Sequence, residues 1–317
     1  MIINDDFLAT ELNKVEELLL KTLKTRSKMV EASLKRFVKS GGKRLRPTFT
    51  IIGSTFGDYK SEIVIPLATA IEIMHMATLI HDDIIDDAET RRGTKSIQAT
   101  LGKNTAVYCG DFLFTRAFMI IADMAEIDML KDISKAIAFI CDSEIDQNEQ
   151  KYDITVTVRD YLKRIGGKTA TLFALSIASG AHKAGCDKKI INKLSNIGKS
   201  IGMAFQIVDD ILDFTGNEKA VGKPLLSDAR QGIYTLPIIY SLNSPYRDQT
   251  IKAIEIIDKD GGKYLLDTVL ESGSLERAKG LANKYIKKAL KIKDTLPEGY
   301  GKGAITEIIE KQLERKF

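Results

Sequence analysis

Between Pro66 and Pro224 the chain runs without a single proline. Proline breaks a helix interior by removing an amide donor and clashing with the preceding turn, so its absence over such a span favours one long helical body over linked modules. The apolar spacing agrees. Leu8, Leu12, Val15, Leu18, Leu19 and Leu23 recur mainly at three and four residues, as on one face of a helix. Helices are predicted over 6–24, 27–38, from Pro47, 61–87, 104–126, up to 150, from Thr157 to His182 and from Asp187 to Gly216. Asn104 and Asp187 are candidate caps, and Thr157 with Asp160 forms a capping-box pattern. Residues 154–158 alternate like a strand, but no partner strands are in view and the segment is read as a loop. With no repeat and no low-complexity linker, the reading is one all-helical domain over 1–317.

Composition narrows the function classes. The chain is 44% hydrophobic and 28% charged, an ordinary globular balance. A net charge of +4 is too mild to imply nucleic acid. Cys109, Cys141 and Cys186 are three and widely spaced, suggesting neither disulfides nor a zinc cluster. No signal peptide is seen and no run of about 18 apolar residues is expected to span a membrane, the longest apolar run being read at 169–181. The expected location is the cytoplasm.

Three constellations carry chemistry. His81-Asp82-Asp83-Ile84-Ile85-Asp86-Asp87 closes the fourth predicted helix. Asp82 and Asp86 fall on one face, Asp83 and Asp87 on a second. Like charges at that spacing weaken a helix, so a compensating cation is the economical explanation. Hard oxygen ligands with open positions suit Mg²⁺. Asp209-Asp210-Ile211-Leu212-Asp213 repeats the spacing among apolar neighbours. One such cluster would be read as a solvated helix end; two on apolar helices indicate a metal site. The third constellation is cationic. Lys43 and Arg46 follow Gly41-Gly42, Arg91-Arg92-Gly93 follows the first aspartates, Lys168-Thr169 follows Gly166-Gly167, and Lys223 stands before Pro224. Such groups bind phosphate by charge-assisted hydrogen bonds. Metal-binding acids, phosphate-binding cations and an apolar helical bundle together fit ionisation of a lipid diphosphate.

These motifs resemble the trans-prenyltransferase (polyprenyl diphosphate synthase) family. Gly-Gly-Lys-Arg-Leu-Arg-Pro at 41–47, His75 before His81-Asp82-Asp83, Asp-Asp-Ile-Ile-Asp at 82–86, Arg-Arg-Gly at 91–93, Lys-Thr-Ala at 168–170, Phe-Gln at 205–206 and Asp-Asp-Ile-Leu-Asp at 209–213 occur in family order. The resemblance implies an all-α bundle of mostly antiparallel helices around a deep central apolar cavity, commonly a homodimer. It implies that Lys43, Arg46, His75 and Arg92 hold isopentenyl diphosphate. Asp82, Asp86, Asp209 and Asp213 would bind Mg²⁺, with Asp83 and Asp210 in support. Arg91, Lys168 and Lys223 would hold the allylic diphosphate, and Lys168, Thr169 and Gln206 would act at the reacting centre. Ile233 stands where the family commonly has lysine.

In this family, residues just before the first aspartates form a floor that limits product length. Ala77 and Thr78 precede Asp82 by five and four residues, about 7 Å below the metal site at the rise of a helix. Met74 lies a turn deeper, with Phe112 and Phe118 as candidates for a lower floor. No aromatic blocks the upper level, so the expected product is hexaprenyl or longer. The alternatives are a short-chain (farnesyl or geranylgeranyl) synthase, a non-catalytic or partner-dependent subunit, and a metal phosphohydrolase built on His81-Asp82.

Overall fold

The computed structural model describes residues 5–124, 126–215 and 225–313. Helix α1 spans Asp6–Thr22, α2 Lys28–Lys39, α3 Leu45–Ser54 and α4 Ser61–Ile85. A small antiparallel hairpin follows, β1 Thr90–Arg91 and β2 Thr94–Lys95, with Thr90 opposite Lys95. Then come α5 Ile97–Leu101, α6 Lys103–Ala122, α7 Ile127–Glu149 and α8 Val158–Ile165. A π-helical turn, Gly166–Ala170, joins α8 to α9, Thr171–Lys183, and α10 covers Lys188–Thr215. Further helices fill the remainder, the longest being Ser274–Lys293. The fold is all-α, as the sequence leads one to expect.

Most helix ends follow the residues proposed for them. Asp187 caps α10 by accepting from the Ile190 amide at 2.8 Å. Thr157 and Asp160 form a complete capping box at the start of α8. Asn104 does not cap α6: the helix starts one residue earlier, after Gly102 in a left-handed conformation (φ 81°). Helix α4 stops at Ile85, so Asp83 and Asp87 do not share a helical face. Asp86 is the C-cap, and Asp87 turns left-handed (φ 52°), a conformation a short polar side chain tolerates. The family-matched Lys223, with Gly216 and Pro224, lies outside the described residues.

The chain separates into two compact units. The first comprises Met1–Ile133, Leu175–Ser195 and Leu296–Ile308. Its centre is α4, against which α1, α3, α5 and α6 pack. Val64, Leu67, Ala68, Ile71, Ile73, Met74, Ala77 and Ile80 of α4 are all buried. Each such branched or long side chain contributes about 1.5–3 kcal/mol. Glycines bring α3 and α9 into backbone contact: a Cβ on Gly53 would strike Ile177, and one on Gly180 would strike Thr50.

The second unit comprises Ser134–Ala174, Asn196–Thr295 and Ile309–Phe317. Its core joins Tyr161 and Ile165 of α8 to Ile207, Ile211 and Phe214 of α10, and to Leu236, Ile239, Leu265, Val269 and Ala278 beyond them.

One expectation needs correction. Two helices, α4 and α6, are long and apolar enough to cross a membrane by length and composition. Scattered polar residues such as Glu72 and His75 break every contiguous run, which is why a search for runs overlooks them. In α4 72% of the apolar window is buried inside the protein, as in a core helix, against 33% in α6.

Candidate active site

In the first unit, the end of α4 and the hairpin after it form one structure. Asp83 is wholly buried. Its Oδ1 accepts from Arg91 Nε at 2.8 Å and from Arg91 Nη2. Its Oδ2 is buried without a hydrogen-bond donor. Burial pushes the Asp83 carboxyl above its ordinary range, and Arg91 works against that. Arg91 can reach back because Arg92 and Gly93 both take positive φ (51° and 75°), the geometry of a tight two-residue hairpin turn. Gln98, buried on α5, braces the turn by donating to the carbonyls of Asp83 (2.8 Å) and Ala88 (3.0 Å). Asp82 is half-buried and Asp86 exposed. Asp87 pairs with Lys103 Nζ at 2.9 Å.

The cations of 41–47 meet this hairpin. Arg92 donates to the Gly41 carbonyl. A Cβ on Gly42 would lie 2.8 Å from Arg92 Nη1 and 2.9 Å from Arg44 Nη1, so a side chain there would collide with two guanidiniums. Arg44 donates to Glu16 at 3.0 and 3.2 Å, to Glu72 at 3.3 Å and to the Val38 carbonyl at 2.9 Å. Burial lowers the Arg46 guanidinium to about 10, with Glu72 opposing the shift and Arg92 adding to it. Burial drives the His75 imidazole well below its ordinary value, helped by Arg46, Arg92, Arg91 and Arg44, so the ring is neutral. The structure therefore groups Arg46, His75, Arg91 and Arg92. Lys43 is exposed at the edge of the same loop.

Ala77 and Met74 are buried, and half-buried Thr78 donates its hydroxyl to the His75 carbonyl at 2.8 Å. Phe118 does not fit a floor: it is 43% exposed and stacks on Phe114. Phe112 lies beneath the Arg116 guanidinium, 4.9 Å from its ring centre. His81 is engaged by α6, its Nε2 3.3 Å from the Val107 carbonyl and 3.4 Å from Asp111, with Gly110 packed on its ring.

In the second unit, the π-helical turn carries Lys168 and Thr169. The sequence points to an ordinary helix here. A wider turn forms instead, and Gly167 lets it press on α7, since a Cβ would strike Ser143 and the Phe139 carbonyl. Thr169 donates to Gln206 Oε1 at 2.7 Å, and Gln206 Nε2 donates to Asp210 Oδ1 at 2.8 Å. The Tyr161 hydroxyl donates to Asp210 Oδ2 at 2.6 Å. Burial raises the Asp210 carboxyl to about 7, with Asp228 adding to the effect. Arg164, 3% exposed, donates to the Tyr234 carbonyl at 2.7 Å and feels Asp210, Tyr161, Asp228 and Glu144. Lys168 pairs with Glu144 at 2.9 Å. Asp209 is exposed and Asp213 buried. Ile233 is buried and donates its amide to the Asp228 carbonyl at 2.8 Å.

Asp83 and Asp210 thus turn inward and spend at least one oxygen inside the protein. Glu72, Gln98, Glu144, Tyr161 and Arg164 are residues the motifs do not point to. A lone acid one turn before His75 in an apolar helix is a signal for Glu72. Glu144 has none.

The donor set suits Mg²⁺. Carboxylates four apart stand on α10 (Asp209, Asp213) and at the end and C-cap of α4 (Asp82, Asp86), and a carboxylate oxygen of Asp83 is buried without a donor. Among the described residues no three acids, histidines or cysteines gather into a ready-made cage. That fits a cation usually held by one or two carboxylates together with water and phosphate oxygens.

Residues 27–267 match the family model for polyprenyl synthetase. A relative named heptaprenyl diphosphate synthase component 2, from Geobacillus stearothermophilus, is 37% identical over 303 residues, 95% of each chain. Among solved structures, heptaprenyl diphosphate synthase from Staphylococcus aureus superposes with a TM-score of 0.93 at 35% identity, covering 97% of this chain and 98% of that one. Geranylgeranyl pyrophosphate synthase from Lactobacillus brevis ATCC 367 gives 0.91 at 35% identity, covering 98% of each. The fold and motifs define an isoprenoid-synthase-type prenyltransferase. The chain belongs to the polyprenyl synthetase family.

Proposed function

We propose that the chain condenses isopentenyl diphosphate with an allylic diphosphate, in the presence of Mg²⁺, into an all-trans polyprenyl diphosphate of hexaprenyl length or more. The class rests on two aspartate sets with matching inward members, Asp83 and Asp210. Asp82, Asp86, Asp209 and Asp213 would hold Mg²⁺, whose charge neutralises the diphosphate leaving group when bound.

Lys43, Arg46, His75 and Arg92 hold the isopentenyl diphosphate, His75 as a neutral hydrogen-bonding ring. Arg91, Lys168 and Lys223 hold the allylic diphosphate, Lys168 exchanging Glu144 for phosphate. The allylic C–O bond breaks, the double bond of isopentenyl diphosphate attacks, and a proton leaves to the released diphosphate. Thr169 and Gln206 present oxygens beside the developing cation. Both units act as one catalytic domain, in the cytoplasm.

Product length rests on one observation: the positions above Met74 are Ala77 and Thr78. Relatives of nearly equal similarity carry heptaprenyl and geranylgeranyl names, so the floor residues are the better guide. The experiment is chain elongation with labelled isopentenyl diphosphate, comparing wild type with Ala77→Phe. A shorter product from the variant is expected, and equal lengths would remove Ala77 from the floor.

The chain works as a homodimer. Val107, Tyr108, Phe118 and Met119 expose an apolar stripe along α6, and a second copy would cover it. A second reading is pairing with a different subunit, favoured by the component 2 name of the Geobacillus relative. Sedimentation and elongation by the chain alone separate the two: an active dimer supports the first, an inactive monomer the second.

A further inference from the structure

One buried carboxylate accepts from the Arg44 guanidinium and lies within electrostatic reach of those of Arg46 and Arg92. Glu72 is 3% exposed, on the core helix α4 and one turn before His75. Its Oε1 accepts from Arg44 Nη1 at 3.3 Å. Arg46 and Arg92 both feel its charge. Arg44 and Arg92 crowd each other, their Nη1 atoms 2.9 and 2.8 Å from a Cβ placed on Gly42. Guanidiniums so close repel strongly where little water screens them. Something must hold them together before a diphosphate arrives.

We propose that Glu72 is a positioning residue for the diphosphate of isopentenyl diphosphate, a built-in anion that keeps Arg44, Arg46 and Arg92 convergent. It rests on the reading of this loop as the isopentenyl diphosphate site, and it assigns roles within it. Arg44, the middle cation of Lys43-Arg44-Leu45-Arg46, is a brace. It spans Glu16 on α1, the α2 carbonyl of Val38 and Glu72 on α4. It stands in a left-handed conformation (φ 47°) just before α3 begins. Glu16, 35% exposed, holds Arg44 from the rim. Glu72 is the inner counter-charge. Three cations against one buried carboxylate still leave net positive charge for the substrate.

A residue that merely held the fold would affect both substrates alike. One that sets the cation cluster affects isopentenyl diphosphate alone. The test is steady-state kinetics on the full-length protein with Mg²⁺, varying each substrate at saturation of the other. Glu72→Gln keeps the shape and removes the charge. It is expected to raise KM for isopentenyl diphosphate about tenfold, with KM for the allylic substrate and kcat within about twofold. Glu16→Gln, at the half-exposed rim, is expected to raise KM for isopentenyl diphosphate by less than Glu72→Gln does, with KM for the allylic substrate again unchanged. If Glu72→Gln does not fold, Glu72→Asp carries the test, with about a threefold rise expected for isopentenyl diphosphate alone. An unchanged KM for isopentenyl diphosphate, or a parallel loss for both substrates, overturns the assignment. Failure of the wild type to elongate at all would instead overturn the functional reading on which it stands.

Discussion

The two aspartate motifs share a spacing and differ in almost everything that holds them. Asp83 closes a helix end and is gripped by a cation, Arg91, delivered by a hairpin whose turn contains two residues of positive φ. Asp210 lies within α10 and is gripped by neutral donors, the Tyr161 hydroxyl and the Gln206 amide. The first therefore has a cation bonded directly to it. The second has only neutral donors bonded to it, and burial raises its carboxyl to about 7. The donors also differ in reach. Arg91 ties Asp83 to a loop that also bears Arg92. Gln206 ties Asp210 to Thr169, on the π-helical turn beside Lys168. The same five-residue pattern is thus wired to a cation-bearing hairpin in one unit and to a chain of neutral hydrogen-bond donors in the other.

If both motifs hold metal, the comparison breaks down at the outer aspartates, where they should behave alike. Asp82→Ala and Asp209→Ala are each expected to lower kcat about a hundredfold or more, measured by elongation under saturating substrates. A large loss from only one would mean that one motif alone serves the reaction.

The inner aspartates should differ. Arg91→Gln leaves Asp83 buried without its counter-charge and is expected to cost about 3 kcal/mol of unfolding free energy. Tyr161→Phe removes one hydrogen bond to a charged acceptor and should cost about 2 kcal/mol. Denaturant titrations of both variants check the order; a larger loss from Tyr161→Phe would reverse the account.

A pH series sharpens the same contrast. The Asp210 carboxyl titrates higher in the folded chain than its ordinary 3.8, so the folded state holds a proton that the unfolded state has released. Metal-free wild type should therefore lose stability relative to Asp210→Asn as pH rises from 3.8 toward about 7. The slope is at most about 1.4 kcal/mol per pH unit. A flat difference would mean that Asp210 is not buried in the way described. The smallest effect belongs to the α8 cap that supports Tyr161 and Arg164: Thr157→Ala should cost about 1 kcal/mol and leave both KM values unchanged.

Much of this was legible in the residues. Proline spacing and apolar periodicity mark a helical chain, and Thr157–Asp160 and Asp187 mark helix starts that the structure shows. The outer aspartates were readable because a repeated, self-repelling pattern needs an explanation. Their partners were not. Arg91 reaches Asp83 only because the chain reverses at Arg92-Gly93, and Tyr161 meets Asp210 across 49 residues of sequence. Helix periodicity also carries α4 two residues too far, to Asp87 instead of Ile85, since nothing in a 3.6-residue pattern announces a left-handed C-terminal turn. The π-helical turn at Gly166–Ala170 leaves no mark in that pattern either; Gly167 packs there against Ser143, a tertiary contact. The apolar character of α4 and α6 escaped a search for unbroken runs.

The measurement closest to the central claim is the length of the product. The purified chain is given farnesyl diphosphate, labelled isopentenyl diphosphate and Mg²⁺, and the products are sized after removal of the diphosphate. The account expects all-trans chains of six or more isoprene units. A product that stops at three or four units, or no isopentenyl-dependent product, would contradict it.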